Sequence, residues 1–262
     1  MNDVRVCRLL TTPVKGLRIM PRDEVQVGPS GVIENRRFFL VDEGGGMVSG
    51  KRLNKLQRVI ADYSHEEREL SLRFADGSVV SGLVKPGAMF AASFFNTAVP
   101  AVEVEGPWSD ALSELVGAPV RLVESGLRAG GVDRGRLGAI SLISRATVER
   151  VAQAAGVDGD FDARRFRMLF EIDGVGAHEE DDWLERHVAL GDAVVRLRGH
   201  VGRCVVTTRD PESGARDVDT LGALATYRRT VETTEPLACG VFGEVVGEGR
   251  VRVGDPVRFV ED

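Results

Sequence analysis

Apolar and polar residues alternate in short bursts over the first hundred positions, with Gly, Pro, Asn and Asp between the bursts. Val4-Arg5-Val6-Cys7-Arg8-Leu9-Leu10 alternates, Pro21-Arg22-Asp23 turns the chain, and Val25-Gln26-Val27 alternates again before Gly28-Pro29-Ser30-Gly31. Phe38-Phe39-Leu40-Val41 is a short, continuously apolar strand closed by Asp42-Glu43-Gly44-Gly45-Gly46. Leu70-Ser71-Leu72-Arg73-Phe74 followed by Asp76-Gly77 reads as one arm of a hairpin. Such spacing over residues 4 to 105 predicts a barrel or sandwich.

The period then changes. Pro107-Trp108-Ser109 opens a helix whose apolar residues Ala111, Leu112, Leu115 and Val116 fall at helical spacing, with Gly117 as its cap. A strand, Val120 to Val123, follows. Gly126 to Gly138 has no apolar period and predicts a mobile loop. Ser144 caps a second helix to Ala155, with Val148, Val151, Ala152 and Ala155 as its stripe and Gly156 as its stop. Asp219 or Thr220 caps a short third helix through Arg228, and Gly249 to Val260 reads as a strand pair around Gly254-Asp255-Pro256. The pattern predicts a mainly β chain with a few short helices, divided as residues 1–105 and 106–262.

Composition narrows the function. The chain has 262 residues and a net charge of -6, which argues against a nucleic-acid or anionic-membrane partner. No apolar run approaches the roughly 20 residues of a membrane helix, and the N-terminal residues lack the apolar core of a signal peptide. Three widely spaced cysteines, Cys7, Cys204 and Cys239, match neither a disulfide framework nor a paired metal motif. A reducing, cytoplasmic setting is the expectation.

The candidate chemistry gathers around Gly199-His200-Val201-Gly202-Arg203-Cys204-Val205-Val206-Thr207-Thr208-Arg209-Asp210-Pro211-Glu212-Ser213-Gly214. It reads as a β-branched strand running into a turn, with a cation and a thiol at its head. A positive neighbour favours the thiolate, the form that attacks electrophiles and binds soft metals. Read in isolation, Cys204 is better explained as a small buried hydrophobe in a Val-rich strand. Cations recur where strands end: Lys15, Arg37, Arg164, Arg165, Arg167 and Arg203. Arg165 and Arg167, two apart, share a face of a strand with Phe166 packed behind. Several guanidiniums converging on one pocket suit a dianion such as a phosphate, although each is separately explicable as a solvated surface arginine. His200 is a weak partner for Cys204, since four residues of strand span about 13 Å. His178-Glu179-Glu180-Asp181-Asp182 reads as a charged loop in preference to a metal cluster. Gly44-Gly45-Gly46 reads as a turn.

Arg203-Cys204-Val205-Val206-Thr207-Thr208-Arg209-Asp210-Pro211-Glu212-Ser213-Gly214 resembles the signature of the MOSC domain, the family that includes the mitochondrial amidoxime-reducing component and its bacterial relatives. The resemblance continues through Asp219-Thr220-Leu221, Tyr227-Arg228 and Val251-Arg252-Val253-Gly254-Asp255-Pro256-Val257. Pro13-Val14-Lys15-Gly16 and Arg36-Arg37-Phe38-Phe39-Leu40-Val41 resemble the β-barrel domain that precedes MOSC in that branch. The resemblance implies an N-terminal β-barrel domain packed on a barrel-like MOSC domain. It implies a molybdenum cofactor (Mo-molybdopterin) held at Lys15, Arg37, Arg167 and Arg203, with Arg165 beside them and Cys204 as the metal ligand. Ser144 matches a serine at the start of a family helix. The chain departs from the family's Phe-Arg-Pro-Asn at Phe166-Arg167-Met168-Leu169, and Arg136-Leu137-Gly138 replaces small hydroxyl residues.

The implied activity is reduction of small N-hydroxylated compounds. Electrons would come from a separate reductase, because the chain has no iron–sulfur cysteine cluster and no dinucleotide fingerprint. Two alternatives stay open: a sulfur carrier with a persulfide on Cys204, and a cofactor-free binding module on the same fold.

Overall fold

A computed structural model describes residues 4–48, 54–94, 97–126, 135–159 and 161–261. The first half supplies β1 (Arg5–Thr11), β2 (Met20–Arg22), β3 (Glu24–Gly28), β4 (Gly31–Val32), β5 (Phe38–Val41) and β6 (Ile60–Ser64). It continues with β7 (Glu69–Arg73), β8 (Val79–Leu83), β9 (Lys85–Phe94), β10 (Thr97–Glu105), α1 (Trp108–Val116) and β11 (Arg121–Ser125). The second half supplies β12 (Ile140–Ser144), α2 (Arg145–Ala154), β13 (Phe170–Asp173), β14 (His187–Leu190) and β15 (Ala193–Gly202). It ends with α3 (Thr220–Arg228), β16 (Ala238–Gly247), β17 (Gly249–Arg252) and β18 (Val257–Val260). The chain is mainly β, as the alternating pattern predicts.

The helix caps follow their expected chemistry. Ser144 accepts from Thr147 N–H at the start of α2, Asp219 accepts from Gly222 N–H at the start of α3, and Gly117 closes α1 in the left-handed region. β7 and β8 pair as the hairpin expected at Asp76-Gly77, with Gly77 at φ 88.

β5, β11, β10 and β9 form one sheet, and β6, β7 and β8 another. They enclose a core of Phe38, Leu40, Leu56, Tyr63, Leu70, Leu72, Trp108 and Leu122. The larger sheet runs β18-β14-β15-β16-β12-β13-β1-β2, so it contains strands from both halves of the chain. Its order is open, yet it curls toward closure. Val6 N–H donates to Asp255 O, and Val257 N–H donates to Val4 O, each at 2.9 Å, laying β1 beside the segment that leads into β18. Inside the curl lies a second core that includes Val6, Leu9, Leu142, Phe170, Ile172, Val195, Leu197 and Val241. α2 and α3 cover a third cluster holding Phe166, Met168 and Cys239.

Three sequence expectations are corrected here. β17 and β18 do not pair with each other: β17 pairs with β3 and β18 with β14, because the edges they cover belong to other strands. Residues after Cys204 do not extend the strand, since β15 ends at Gly202 and Val205–Thr208 form a short 3-10 turn. Arg165 and Arg167 do not lie on a strand, because Ala163–Phe166 is another 3-10 turn, capped by Asp162. Residues 127–134 of the expected mobile loop lie outside the described residues, while Arg136–Gly138 forms a third 3-10 turn.

Candidate functional site

Three main walls, joined by Gln57 and by Gly138, Ala139 and Ser141, enclose a cavity of about 440 Å³, a size suited to a cofactor-sized ligand. The β1–β2 connection brings Lys15 and Gly16 and the β4–β5 connection Asn35 and Arg36, together the first wall; residues 165–169 form a second wall; Val201 to Cys204, with Val206 and Thr207, form the third. Five lining residues are cationic (Lys15, Arg36, Arg165, Arg167 and Arg203), and none is a carboxylate. In a chain of net charge -6, this cavity is a local concentration of positive charge. Phe166, Met168, Leu169, Val201 and Val206 line it between the cations. Apolar walls lower the local dielectric and strengthen each charge's field.

The first wall is stitched by main-chain bonds. Lys15 N–H donates to Phe38 O at 2.8 Å, Arg36 N–H donates to Thr12 O at 2.7 Å, and Asn35 Oδ1 accepts from Thr12 N–H at 3.1 Å. The Lys15 ammonium lies 5.4 Å from the Phe94 ring centroid. Arg36 takes φ 52, a left-handed conformation uncommon outside glycine, and its Nη2 donates to Arg167 O at 2.6 Å.

Arg167 is the centre of the second wall. It too is left-handed, at φ 55, and caps the 3-10 turn by donating its N–H to Arg164 O. Its Nη2 donates to Leu17 O at 2.8 Å. Burial pulls its guanidinium down to about 10, and an ionised Cys204 opposes that pull. Arg167 has no carboxylate within ion-pairing distance among the described residues, so an anion entering the cavity meets an uncompensated cation.

The third wall carries the thiol. Cys204 is half-buried, with extended backbone, at the head of the 3-10 turn. Its carbonyl accepts from Thr207 N–H and Thr207 Oγ1, and Thr207 Oγ1 bonds Thr220 Oγ1 at 2.7 Å, tying the turn to the start of α3. Arg203 Nη1 donates to Phe166 O at 2.9 Å, while Nη2 reaches Met168 Sδ at 3.0 Å and also bonds Cys239 O. Gly240, at φ 79, is required beneath this contact. A Cβ there would fall 2.8 Å from Met168 Cε and 2.7 Å from Leu142 O.

Of the residues singled out in the sequence, Lys15, Arg165, Arg167, Arg203 and Cys204 come together at the cavity. Arg165 is largely committed elsewhere: it forms a two-point pair with Asp217 and donates to Thr207 O and Arg209 O. Its Nε is nevertheless buried without a hydrogen-bond partner.

Arg37 and Ser144 do not line the cavity. Arg37 turns to Glu124 at 2.6 Å and over the Tyr63 ring at 5.7 Å, while Arg36, in the turn before β5 at φ 52, takes the cavity side. Ser144 is buried as the α2 cap, bonded to Thr147. Arg164 pairs with Asp162 and Glu212. His200 bonds Thr234 and lies 3.8 Å from Asp181. Glu180 and Asp181 do not form a solvated charged loop. Glu180 is fully buried, its carboxyl raised by that burial, and Asp181 pairs with Arg228 at 2.6 Å. No metal-ligating cluster of His, Cys, Asp and Glu occurs among the described residues. Cys7 and Cys239 are pushed up to about 12, chiefly by burial, which leaves them protonated. Sequence reasoning missed Arg36, Asn35 and Ser141. The Arg36-Arg37 pair ahead of an apolar strand signalled that only one of the two could face inward.

Residues 3–119 match the model of the MOSC N-terminal beta barrel domain, and residues 130–258 match the MOSC domain. The chain belongs to the MOSC family. Mitochondrial amidoxime-reducing component 1 of Xenopus laevis is 25% identical over 281 residues, covering 96% of this chain and 81% of that protein. The protein of the same name from Mus musculus is 35% identical over 101 residues, 36% of this chain and 29% of its own length. The chain thus spans under a third of the mouse relative in that match. Among solved structures, the YUAD protein from Bacillus subtilis aligns over 97% of this chain and 93% of its own, at 13% identity and a TM-score of 0.49.

Leu169, at the position where the resemblance leads one to expect Asn, sits in the second core, 2% exposed. Its N–H is taken by Ser141 Oγ at 3.0 Å, so a cavity-lining hydroxyl serves the backbone there. No helix among the described residues is long and apolar enough to cross a membrane.

Proposed function

We propose that this MOSC chain holds a molybdenum cofactor in the cavity, with Cys204 as metal ligand, and reduces small N-hydroxylated compounds using electrons from a separate reductase. The observation that carries the reading is the cavity wall, with five cations, no carboxylate and one half-buried thiol. Membership of a family related to amidoxime-reducing components supports it.

The residues present fit such a group. Arg167 and Lys15 are cations suited to a phosphate, and a guanidinium binds phosphate through two parallel bonds. The buried, unpartnered Arg165 Nε is a further donor. A thiolate at Cys204 is a soft ligand for a metal that changes oxidation state. When bound, the cofactor supplies the removal of oxygen from nitrogen, in which the N–O bond breaks, two electrons and two protons enter, and water leaves. The protein's own part is to anchor the anion, exclude water with Phe166, Met168 and Val206, and hold Cys204 on a turn fixed by Thr207 and Arg165.

The test is expression in a host competent for the cofactor, followed by elemental analysis and pterin fluorescence. Near-stoichiometric molybdenum is expected, with Cys204→Ser abolishing turnover and shifting the metal spectrum while the melting temperature holds. Full activity in that variant sinks the proposal. Cyanolysable sulfur on Cys204 without molybdenum transfers the reading to a sulfur carrier.

A further inference from the structure

Six described non-glycine residues adopt positive φ: Arg36, Arg68, Arg167, His178, Glu185 and Leu237. Two of them, 131 residues apart in sequence, line the same cavity and are joined side chain to backbone, Arg36 Nη2 to Arg167 O at 2.6 Å. A left-handed non-glycine residue persists only where its surroundings over-determine it, and such residues collect at functional sites. Arg167 has those surroundings. Its carbonyl is held by Arg36, its Nη2 by Leu17 O, and the carbonyl of Phe166 and the sulfur of Met168 on either side by Arg203.

We propose that Arg36 is a positioning residue. It crosses from the β4–β5 connection to lock the backbone of Arg167 in the left-handed state, the conformation that presents a guanidinium without a carboxylate partner to an anion in the cavity. Arg203 grips the same segment from the other side. Two of the cavity's five cations therefore build the site through a third. The inference rests on the reading of the cavity as an anion site, and it concerns how the site is held together. An electrostatic role for Arg36 would need only its charge; a positioning role needs the guanidinium's reach.

The distinguishing experiment uses cofactor-free full-length protein and inorganic phosphate as the probe, with affinity measured by calorimetry. Arg167→Met is expected to weaken phosphate binding at least tenfold. Arg36→Met should weaken it severalfold, and the Arg36→Met/Arg167→Met double variant no further than Arg167→Met alone. Arg36→Lys keeps the charge but loses the reach, so it should behave as Arg36→Met. In ¹⁵N-arginine-labelled protein, the Arg167 Nε–Hε signal, assigned by its loss in Arg167→Met, should broaden or shift in both Arg36 variants. Melting temperatures establish that each variant is folded, and Arg36→Gln stands in if Arg36→Met is not. Full rescue by Arg36→Lys, or an unmoved Arg167 signal, overturns the positioning role. Wild-type phosphate affinity in Arg167→Met overturns the anion-site reading instead.

Discussion

Arg165 separates a brace from a ligand contact. Arg165→Met keeps the aliphatic stem and deletes the guanidinium. The side chain is 4% exposed, and Nη1 and Nη2 each lie 3.1 Å from one oxygen of Asp217. Nη1 also donates to Thr207 O and Arg209 O at 3.2 Å, and the guanidinium lies 4.6 Å from the Phe161 ring centroid. Breaking a buried ion pair by removing one partner costs about 3–5 kcal/mol. Asp217, 36% exposed, regains water when its partner leaves, which places the expected loss near the lower end, about 3 kcal/mol. At roughly 2–4 °C per kcal/mol for a chain of this size, the melting temperature should fall by on the order of 10 °C. Urea unfolding and thermal melts of cofactor-free protein measure it. A double-mutant cycle with Asp217→Asn should show coupling above about 1 kcal/mol. If Arg165→Met stays within about 0.5 kcal/mol of wild type while losing phosphate binding, Arg165 is a ligand contact and the bracing argument fails.

Leu169→Asn should lower stability by about 3 kcal/mol, since it removes a leucine from the second core and places an amide there without a partner. Bound molybdenum should not rise; a gain in occupancy without loss of melting temperature would show that the side chain at 169, and not only its backbone, faces the bound group. His178, held down to about 4 by burial and by Arg228 and Arg150, binds its proton in the unfolded chain before the folded one. Its contribution to stability is therefore full above about pH 6.5 and lost as pH falls toward 4. His178→Gln should flatten the melting temperature between pH 7 and 4; an unchanged slope assigns that dependence to other groups.

The helices were legible because their signals are local. Ser144 and Asp219 cap, Gly117 stops, and apolar residues recur at helical spacing. The Asp76-Gly77 hairpin was legible for the same reason. The 3-10 turns at Ala163–Phe166 and Val205–Thr208 were not, because β-branched and aromatic residues favour strands and tertiary bonds overrode the preference: Arg165 to Asp217, and Thr207 to Thr220. The exchange of Arg36 for Arg37 has a similar cause. Both suit the same anion chemically, and the choice is made by a positive φ and a carbonyl 131 residues away. The pairing of β17 with β3 and of β18 with β14 likewise depends on which edges remain open once the sheet has curled.

The stitch between Val4–Val6 and Asp255–Val257 bears on how the chain comes to be folded. Neighbours in space here are about as distant in sequence as the chain permits, as in the bond from Arg5 to Gly254 O across 249 positions. Contacts of such separation require loop-closure entropy to be overcome before they stabilise anything, and they slow folding. On a ribosome, the smaller sheets around Trp108 have all their strands once β11 emerges. The curled sheet must wait for β18. Lys15 and Arg36 are then synthesised long before Cys204, and the cavity gains its thiol wall only when the second half has been made. Any ligand held jointly by these residues is captured at the end of folding and cannot template its beginning.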